Sequence, residues 1–359
     1  MPHLFEPFQL RDVVFPNRVF VSPMCQYSAY DGMPADWHLV HLGSRAVGGA
    51  GLVIAEATAV TPAGRISPGD LGLWDDRHAE AFALITRFVR MQGAAAGVQL
   101  AHAGRKASTK APWEGSGMVH KEDGGWEVVG PTTEPFAPDY PEPRALSEAE
   151  VEGVVRAFRD AALRAQDAGF NVLEIHAAHG YLIHQFLSPL VNKRTDRYGG
   201  TFENRIRLCL DVVRAVRAVW PERLPLLLRL SATDWVEGGW NLEQSIDLSR
   251  RVAPLGVDLI DCSSGGAVGS AKVPVGPGYQ VPFAAEIKAV GIATGAVGMI
   301  AAPAQADQIV RTRQADCVLL AREMLRDPYW PLHAARELGH AVPWPAQYLR
   351  AAPHGTPSR

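Results

Sequence analysis

Two histidines and a tyrosine stand within six residues of each other in His176-Ala-Ala-His179-Gly-Tyr181. The run before them, Asn171-Val-Leu-Glu-Ile175, reads as a β-strand. Side chains on a strand alternate faces, so residues three apart converge only if the strand ends near His176 and the chain turns. That would put two imidazoles and a phenol at the carboxyl end of a strand, the end where barrels and open α/β sheets carry their chemistry. Two neutral imidazoles suit a carbonyl or nitro oxygen that gains negative charge during a reaction. A tyrosine beside them, with an ordinary pKa near 10, suits protonation of an adjoining carbon. The same residues also permit a zinc site with His102 as a third ligand, since histidine is the commonest zinc ligand. A third reading is a pair of core histidines satisfied by backbone groups.

Other strands carry polar groups where a packed barrel favours apolar ones. Gln99 shares a face with Ala101, while Val98 and Leu100 take the other. Arg229 interrupts Leu226-Leu-Leu-Arg-Leu230. Both faces of such a strand are covered, so this guanidinium needs an anion or strong acceptors. Glu56 or Glu174 in neighbouring strands is one candidate partner, and a bound ligand with partial negative charge is the other. Cys25, after Ser22-Pro23-Met24 at a strand end, is either a small buried hydrophobe or a ligand contact.

The elements that must position these residues recur regularly. Short apolar strands alternate with amphipathic helices eight times: 18–22 with 36–47, 51–56 with 79–91, 96–101 with a helix begun at Ser147, 172–176 with 203–219, 225–231 with 242–252, 258–262 with 283–290, 294–300 with 304–311, and 316–321 with 329–338. Eight such units close a parallel barrel. The expected fold is therefore α/β, a (β/α)8 TIM barrel spanning residues 1–350, opened by a β-hairpin around Phe5–Pro16. Ser147 and Glu150 have capping-box spacing, and Val151, Val154, Val155, Phe158 and Ala162 follow as one apolar stripe up to Gly169. Residues 104–146, rich in Pro, Gly and Trp, form an insertion after the third strand. Structureless loops beyond about 15 residues are usually functional or disordered, and the aromatics favour a lid over the carboxyl-end face. The tail, 351–359, is expected to be disordered.

Composition narrows the field further. The 359 residues carry 35 Lys and Arg against 38 Asp and Glu, a net charge of −3 with no basic block. Nucleic-acid binding is not expected, because it needs clustered cations. No apolar run approaches the roughly 20 residues that span a bilayer, and Met1-Pro-His-Leu-Phe5 does not read as a signal peptide. Cys25, Cys209, Cys262 and Cys317 are widely spaced, so reduced thiols and a cytoplasmic location are expected rather than disulfides or an iron–sulfur cluster.

Taken together, Pro23-Met-Cys-Gln-Tyr-Ser28, Glu56-Ala-Thr58, Gln99-Leu-Ala-His-Ala-Gly-Arg105, His176-Ala-Ala-His-Gly-Tyr-Leu182, Ser188-Pro-Leu-Val-Asn192, Arg194-Thr-Asp-Arg-Tyr-Gly-Gly200 and Arg322-Glu-Met-Leu-Arg-Asp327 resemble the Old Yellow Enzyme family of flavin oxidoreductases. Cys25 with the double histidine is similar to its thermophilic-like branch, which includes the xenobiotic reductases. The resemblance implies non-covalent FMN at the carboxyl-end face, with NADPH or NADH as electron donor. Ser22, Pro23, Met24, Cys25, Ala57, Gln99, Arg229, Ala321 and Arg322 would hold the cofactor, Arg229 beside the end that becomes anionic on reduction. Ala321 stands where most relatives have glycine, so a phosphate contact there depends on backbone amides. His176 and His179 would hold the oxygen of an enone, maleimide or nitro compound. Tyr181 would be the proton donor, and Tyr27 and Cys25 would touch substrate. Gln347-Tyr-Leu-Arg350 is similar to a segment that reaches a neighbouring subunit, which makes Arg350 a candidate substrate contact in a homodimer or homotetramer. A zinc-dependent barrel hydrolase and a non-catalytic flavin-binding protein are the alternatives.

Overall fold

A computed structural model describes residues 3–358; Met1 and Pro2, at the head of the segment read as lacking a signal peptide, and Arg359, the last residue of the tail, lie outside them. Eight parallel strands close into a barrel in chain order: β1 (Val19–Val21), β2 (Leu52–Ala59), β3 (Ala95–Ala101), β4 (Val172–Ala177), β5 (Leu226–Ser231), β6 (Leu259–Ser263), β7 (Ala293–Ala296) and β8 (Cys317–Leu320). Closure is made by β8 on β1, with Val318 opposite Val19 and Leu320 opposite Val21. Helices cover the outside and side chains fill the inside, so strands such as β5 are buried at every residue. The β-hairpin of Phe8–Leu10 and Val13–Phe15 packs against the barrel through Phe15, whose ring lies 4.8 Å from that of Phe20 in β1.

The helices are α1 (Asp36–Val47), α2 (Asp76–Met91), α3 (Glu148–Asp167), α4 (Leu182–Leu187), α5 (Phe202–Arg205), α6 (Arg207–Arg217), α7 (Leu242–Val252), α8 (Val281–Lys288), α9 (Pro303–Arg311), α10 (Arg322–Arg326) and α11 (Trp330–Glu337). In α3 the Ser147 hydroxyl accepts from Glu150 N–H at 3.3 Å, and Glu150 Oε2 accepts from Ser147 N–H at 2.8 Å. Val151, Val154, Phe158 and Ala162 are buried, while Val155 is only partly covered. Each fully buried Val or Phe contributes about 1.5–3 kcal/mol.

Three expectations need correction. The helix expected over 203–219 is two, α5 and α6, joined at Ile206, because Thr201 caps its own short turn through Asn204 N–H. Between β4 and that pair lies α4, whose six residues are all buried, His184 and Gln185 among them, and too few to show helical periodicity. The tail is not a free coil as far as Ser358: Ala346–Ala351 forms a 3-10 turn, and Ser358 bridges to Trp344. All four cysteines are free thiols, and no helix among the described residues is long and apolar enough to cross a membrane.

Candidate active site

β4 ends at Ala177, one residue past His176, and the chain then turns through His179 (φ 58°) and Gly180 (φ 73°). The left-handed backbone at His179 costs about 1–2 kcal/mol. Its N–H donates to Ser231 Oγ at 2.9 Å, and its C=O accepts from Lys106 Nζ at 2.9 Å. Behind the turn, Gly180 N–H donates to His184 Nδ1 at 2.9 Å, and His184 Nε2 lies 2.9 Å from Asp234 Oδ1, both side chains fully buried. The turn brings the three expected groups together. The His176 ring stands 5.1 Å from that of His179 and 4.9 Å from that of Tyr181, nearly perpendicular to each.

Burial, then Arg229, holds both imidazoles well below their ordinary range, so they are neutral. His176 Nδ1 accepts from Ala178 N–H at 3.2 Å, which leaves its proton on Nε2. His179 Nε2 sits 2.7 Å from Ser263 Oγ. Burial, followed by the neighbouring Cys25, Tyr27 and Asp70, drives the Tyr181 phenol far up. His102, the third member of the zinc alternative, uses Nδ1 to accept from Gly104 N–H at 3.1 Å. Among the described residues no group of three His, Cys, Asp or Glu could hold a metal ion.

Beneath the histidines, the register sets Arg229 beside His176 on one side and beside Asp261 on the other. Its anion is Asp261, with Nε 2.7 Å from Oδ2, though not aligned as a hydrogen bond. The expected partners Glu56 and Glu174 are occupied elsewhere: Glu56 Oε1 accepts from Gln26 N–H at 2.7 Å, and Glu174 Oε1 accepts from the Gln99 amide at 2.8 Å. Arg229 also donates through Nη2 to Ser22 Oγ at 2.7 Å. Asp261 was legible, since it interrupts an apolar strand as Arg229 does, with Leu259 and Ser263 on its face.

Ser22-Pro23-Met24-Cys25 leaves β1 as an irregular segment along the barrel mouth. A bulge in β2 between Ala55 and Ala57 turns Glu56 toward this segment and sets Ala57 opposite Gln99. Ala57, Ile66, Ala101, Ala103, Ala107 and Val128 form a small apolar cluster, with Cys25, Tyr27, Trp126 and Tyr181 packed on it. Burial and the carboxyls of Asp70 and Glu56 raise the Cys25 thiol well above its usual range, so it is not a thiolate. The insertion contributes Trp113, edge-on to Tyr27 at 5.7 Å, and Trp126, whose indole N–H donates to Ala63 O at 3.0 Å.

A cavity of about 560 Å³ opens at the carboxyl ends of β6, β7 and β8, lined by Ser263, Gly298, Met299, Ala321 and Arg322. Ser263 joins it to His179. Ala321 has φ −102°, so its alanine needs no left-handed backbone. Another cavity, of about 400 Å³, opens between the amino-terminal ends of the strands and the tail, and includes none of these residues. Arg350 is exposed on the 3-10 turn of the tail and is not gathered with the histidines of its own chain. Lys106, Ser231 and Ser263 were not foreseen; Lys106 lies one residue beyond a motif already singled out.

Gln99, Arg229 and Ser22 below, apolar and sulfur groups at the edge, and a separate cavity with Arg322 fit a flat heterocycle that carries carbonyl oxygens, ring nitrogens and a phosphate tail. FMN has these features. A parallel barrel with this layer defines a flavin-type oxidoreductase. Residues 3–340 match the model of the NADH:flavin oxidoreductase / NADH oxidase family. The chain is 46% identical to NADPH dehydrogenase of Geobacillus thermodenitrificans over 350 residues, covering 97% of this chain and 98% of that one. It is 47% identical to NADPH dehydrogenase of Listeria monocytogenes over 354 residues, 98% and 99% of the two chains. Among solved structures, morphinone reductase in complex with tetrahydroNAD superposes with TM-score 0.79 at 26% identity, covering 96% of this chain and 93% of that one. The old yellow enzyme homologue of Zymomonas mobilis gives 0.79 at 27%, covering 94% and 93%. The chain belongs to the NADH:flavin oxidoreductase / NADH oxidase family. It is an NAD(P)H-dependent flavin oxidoreductase with FMN as cofactor.

Proposed function

We propose that this oxidoreductase is an ene-reductase that uses NADPH or NADH to reduce the activated C=C bond of α,β-unsaturated ketones, aldehydes, maleimides and nitro compounds. The observation that carries the reading is the pair of neutral imidazoles, His176 buried and His179 partly so, with a phenol packed 4.9 Å from one of them. FMN, when bound, supplies the two-electron chemistry. Gln99, Arg229 and Ser22 hold its ring system, with Pro23, Met24, Cys25 and Ala57 along the edge. Ala321 and Arg322 take the phosphate. His176 donates from Nε2 to the substrate oxygen. A Ser263 hydroxyl donating to His179 Nε2 would leave the second donor on Nδ1. These donors stabilise the negative charge that develops on that oxygen. Tyr181, kept protonated, gives its proton to the α-carbon. Tyr27 and Cys25 border the substrate, and the Trp113 ring stands against Tyr27. In a homodimer or homotetramer, Arg350 of a neighbouring subunit reaches the mouth.

The test is a visible spectrum. Flavin absorbance should bleach with NADPH under argon and return on adding 2-cyclohexenone. Bleaching without recovery by any enone, maleimide or nitroalkene would overturn the substrate class. The double variant His176→Ala/His179→Ala should stay yellow and bleach normally, yet lose recovery.

A further inference from the structure

Lys106 lies in the 3-10 turn Gly104–Lys106 after β3. Its Nζ donates to His179 O at 2.9 Å and to Gly266 O at 3.3 Å, joining the loops that follow β4 and β6. The same ammonium stands 5.3 Å from the centroid of the Tyr181 ring and 4.3 Å from that of Phe136 in the insertion. The groups that face Lys106 are Arg105 on its own turn, His176, His179 and Tyr181 from the β4 side, the carbonyl of Gly266, and Phe136 above. No carboxylate is among them. Arg105 itself is engaged by Ala267 O at 2.8 Å and Glu134 O at 3.1 Å.

Tyr181 has the opposite surroundings. Burial and the Asp70 carboxyl disfavour its phenolate. Reduction of an enone adds hydride to the β-carbon and leaves an enolate with an electron pair at the α-carbon. That pair forms the new C–H bond with the Tyr181 proton; the O–H bond breaks and its pair stays on the phenolic oxygen, which water later reprotonates. A negative charge therefore passes to a phenol whose burial and whose neighbouring Asp70 carboxyl oppose it. A cation over an aromatic face is attracted to it, more so when desolvated, and the attraction grows as the ring system becomes anionic.

We propose that Lys106 is the electrostatic partner of Tyr181, a positioning residue whose ammonium offsets the phenolate formed as Tyr181 protonates the substrate carbon. The proposal rests on Tyr181 being the proton donor. Burial and Arg105 bring Lys106 down to about 8. The countercharge is therefore present below pH 8 and lost above it, so proton transfer slows as pH rises through that value.

Stopped-flow measurement of the two half-reactions in the FMN-loaded enzyme tests this. In Lys106→Met, reoxidation by 2-cyclohexenone should slow by about tenfold or more, while bleaching by NADPH stays within about threefold of the parent. Lys106→Arg, which keeps the cation, should restore most of the rate and carry it flat past pH 8. In a Tyr181→Phe background, Lys106→Met should slow reoxidation no further, since the group it serves is gone. NMR of the lysine ammonium groups should show one titrating near 8 that is missing from Lys106→Met. Equal slowing of both half-reactions, a full additional loss in the Tyr181→Phe background, or a Lys106 amine already neutral at neutral pH would each overturn the proposal. If Tyr181→Phe alone leaves reoxidation unchanged, the proton donor itself is misassigned. If Tyr181→Phe slows reoxidation and Lys106→Met does not, only the role of Lys106 fails.

Discussion

Glu174→Gln isolates the cost of burying charge beneath the site. Glu174 is fully buried, accepts one hydrogen bond from Gln99, and leaves Oε2 without a partner. Burial, then the Asp261 carboxyl, pushes it from the ordinary 4.5 up to about 8, against the opposing pull of Arg229 and Gln99. A carboxyl whose folded value lies above its unfolded one favours the folded state at low pH. That contribution is complete below about pH 4.5 and is lost as pH rises to about 8. Each pH unit in the window costs about 1.4 kcal/mol, on the order of 5 kcal/mol if Glu174 bears it all. The two buried acids titrate together, so removing one should recover roughly 2–5 kcal/mol. Glutamine fills the same volume and keeps a carbonyl for Gln99. The assay is urea denaturation of protein freed of FMN, because bound ligand would add its own stabilisation. At pH 5 the variant and parent should agree within about 1 kcal/mol; at pH 8.5 the variant should be the more stable by the amount above. Glu56, held near 8, and Asp70, held near 7, leave some of the parental slope in place. Parallel pH profiles for parent and variant would mean that Glu174 is already ionised in the folded protein, and the reasoning would fail.

Three further predictions follow from contacts. Gly266 has φ 93° and a β-carbon there would meet His179 C at 2.5 Å; Gly266→Ala should cost about 1–3 kcal/mol in denaturation and weaken enone turnover more than NADPH oxidation. Ser147→Ala removes the cap of α3, with an expected loss of about 1 kcal/mol in denaturation and unchanged steady-state activity. Arg350→Ala should raise the KM for 2-cyclohexenone in an oligomer established by sedimentation while leaving NADPH bleaching alone; an unchanged KM removes Arg350 from the site.

The barrel was legible because its elements are local. A strand buried on both faces must read as an apolar run, a capped helix must show its stripe, and eight repeats of that pair have one common way to close. Gln99 and Arg229 stood out for the same reason, as polar side chains in runs that otherwise exclude water. The strand before His176 and the turn after it could also be anticipated. What eluded the linear reading depends on which strands become neighbours. Arg229 looked for Glu56 or Glu174, but the bulge at Ala55–Ala57 turns Glu56 to Gln26 and the β3–β4 register gives Glu174 to Gln99. Asp261 becomes its partner because β6 lies directly beside β5. Lys106 is an ordinary lysine in the chain and a partly buried cation bridging loops only where three of them meet.

By itself, then, the sequence determined the barrel, its polar interior and the pair of imidazoles with a phenol, since each is written in alternation, capping or residue type over a few positions. Tertiary structure decided which charges compensate which, that both imidazoles are neutral, and that an ammonium faces Tyr181. Those depend on burial and on distances of a few ångströms between residues far apart in the chain, where the local dielectric sets how strongly a charge is felt.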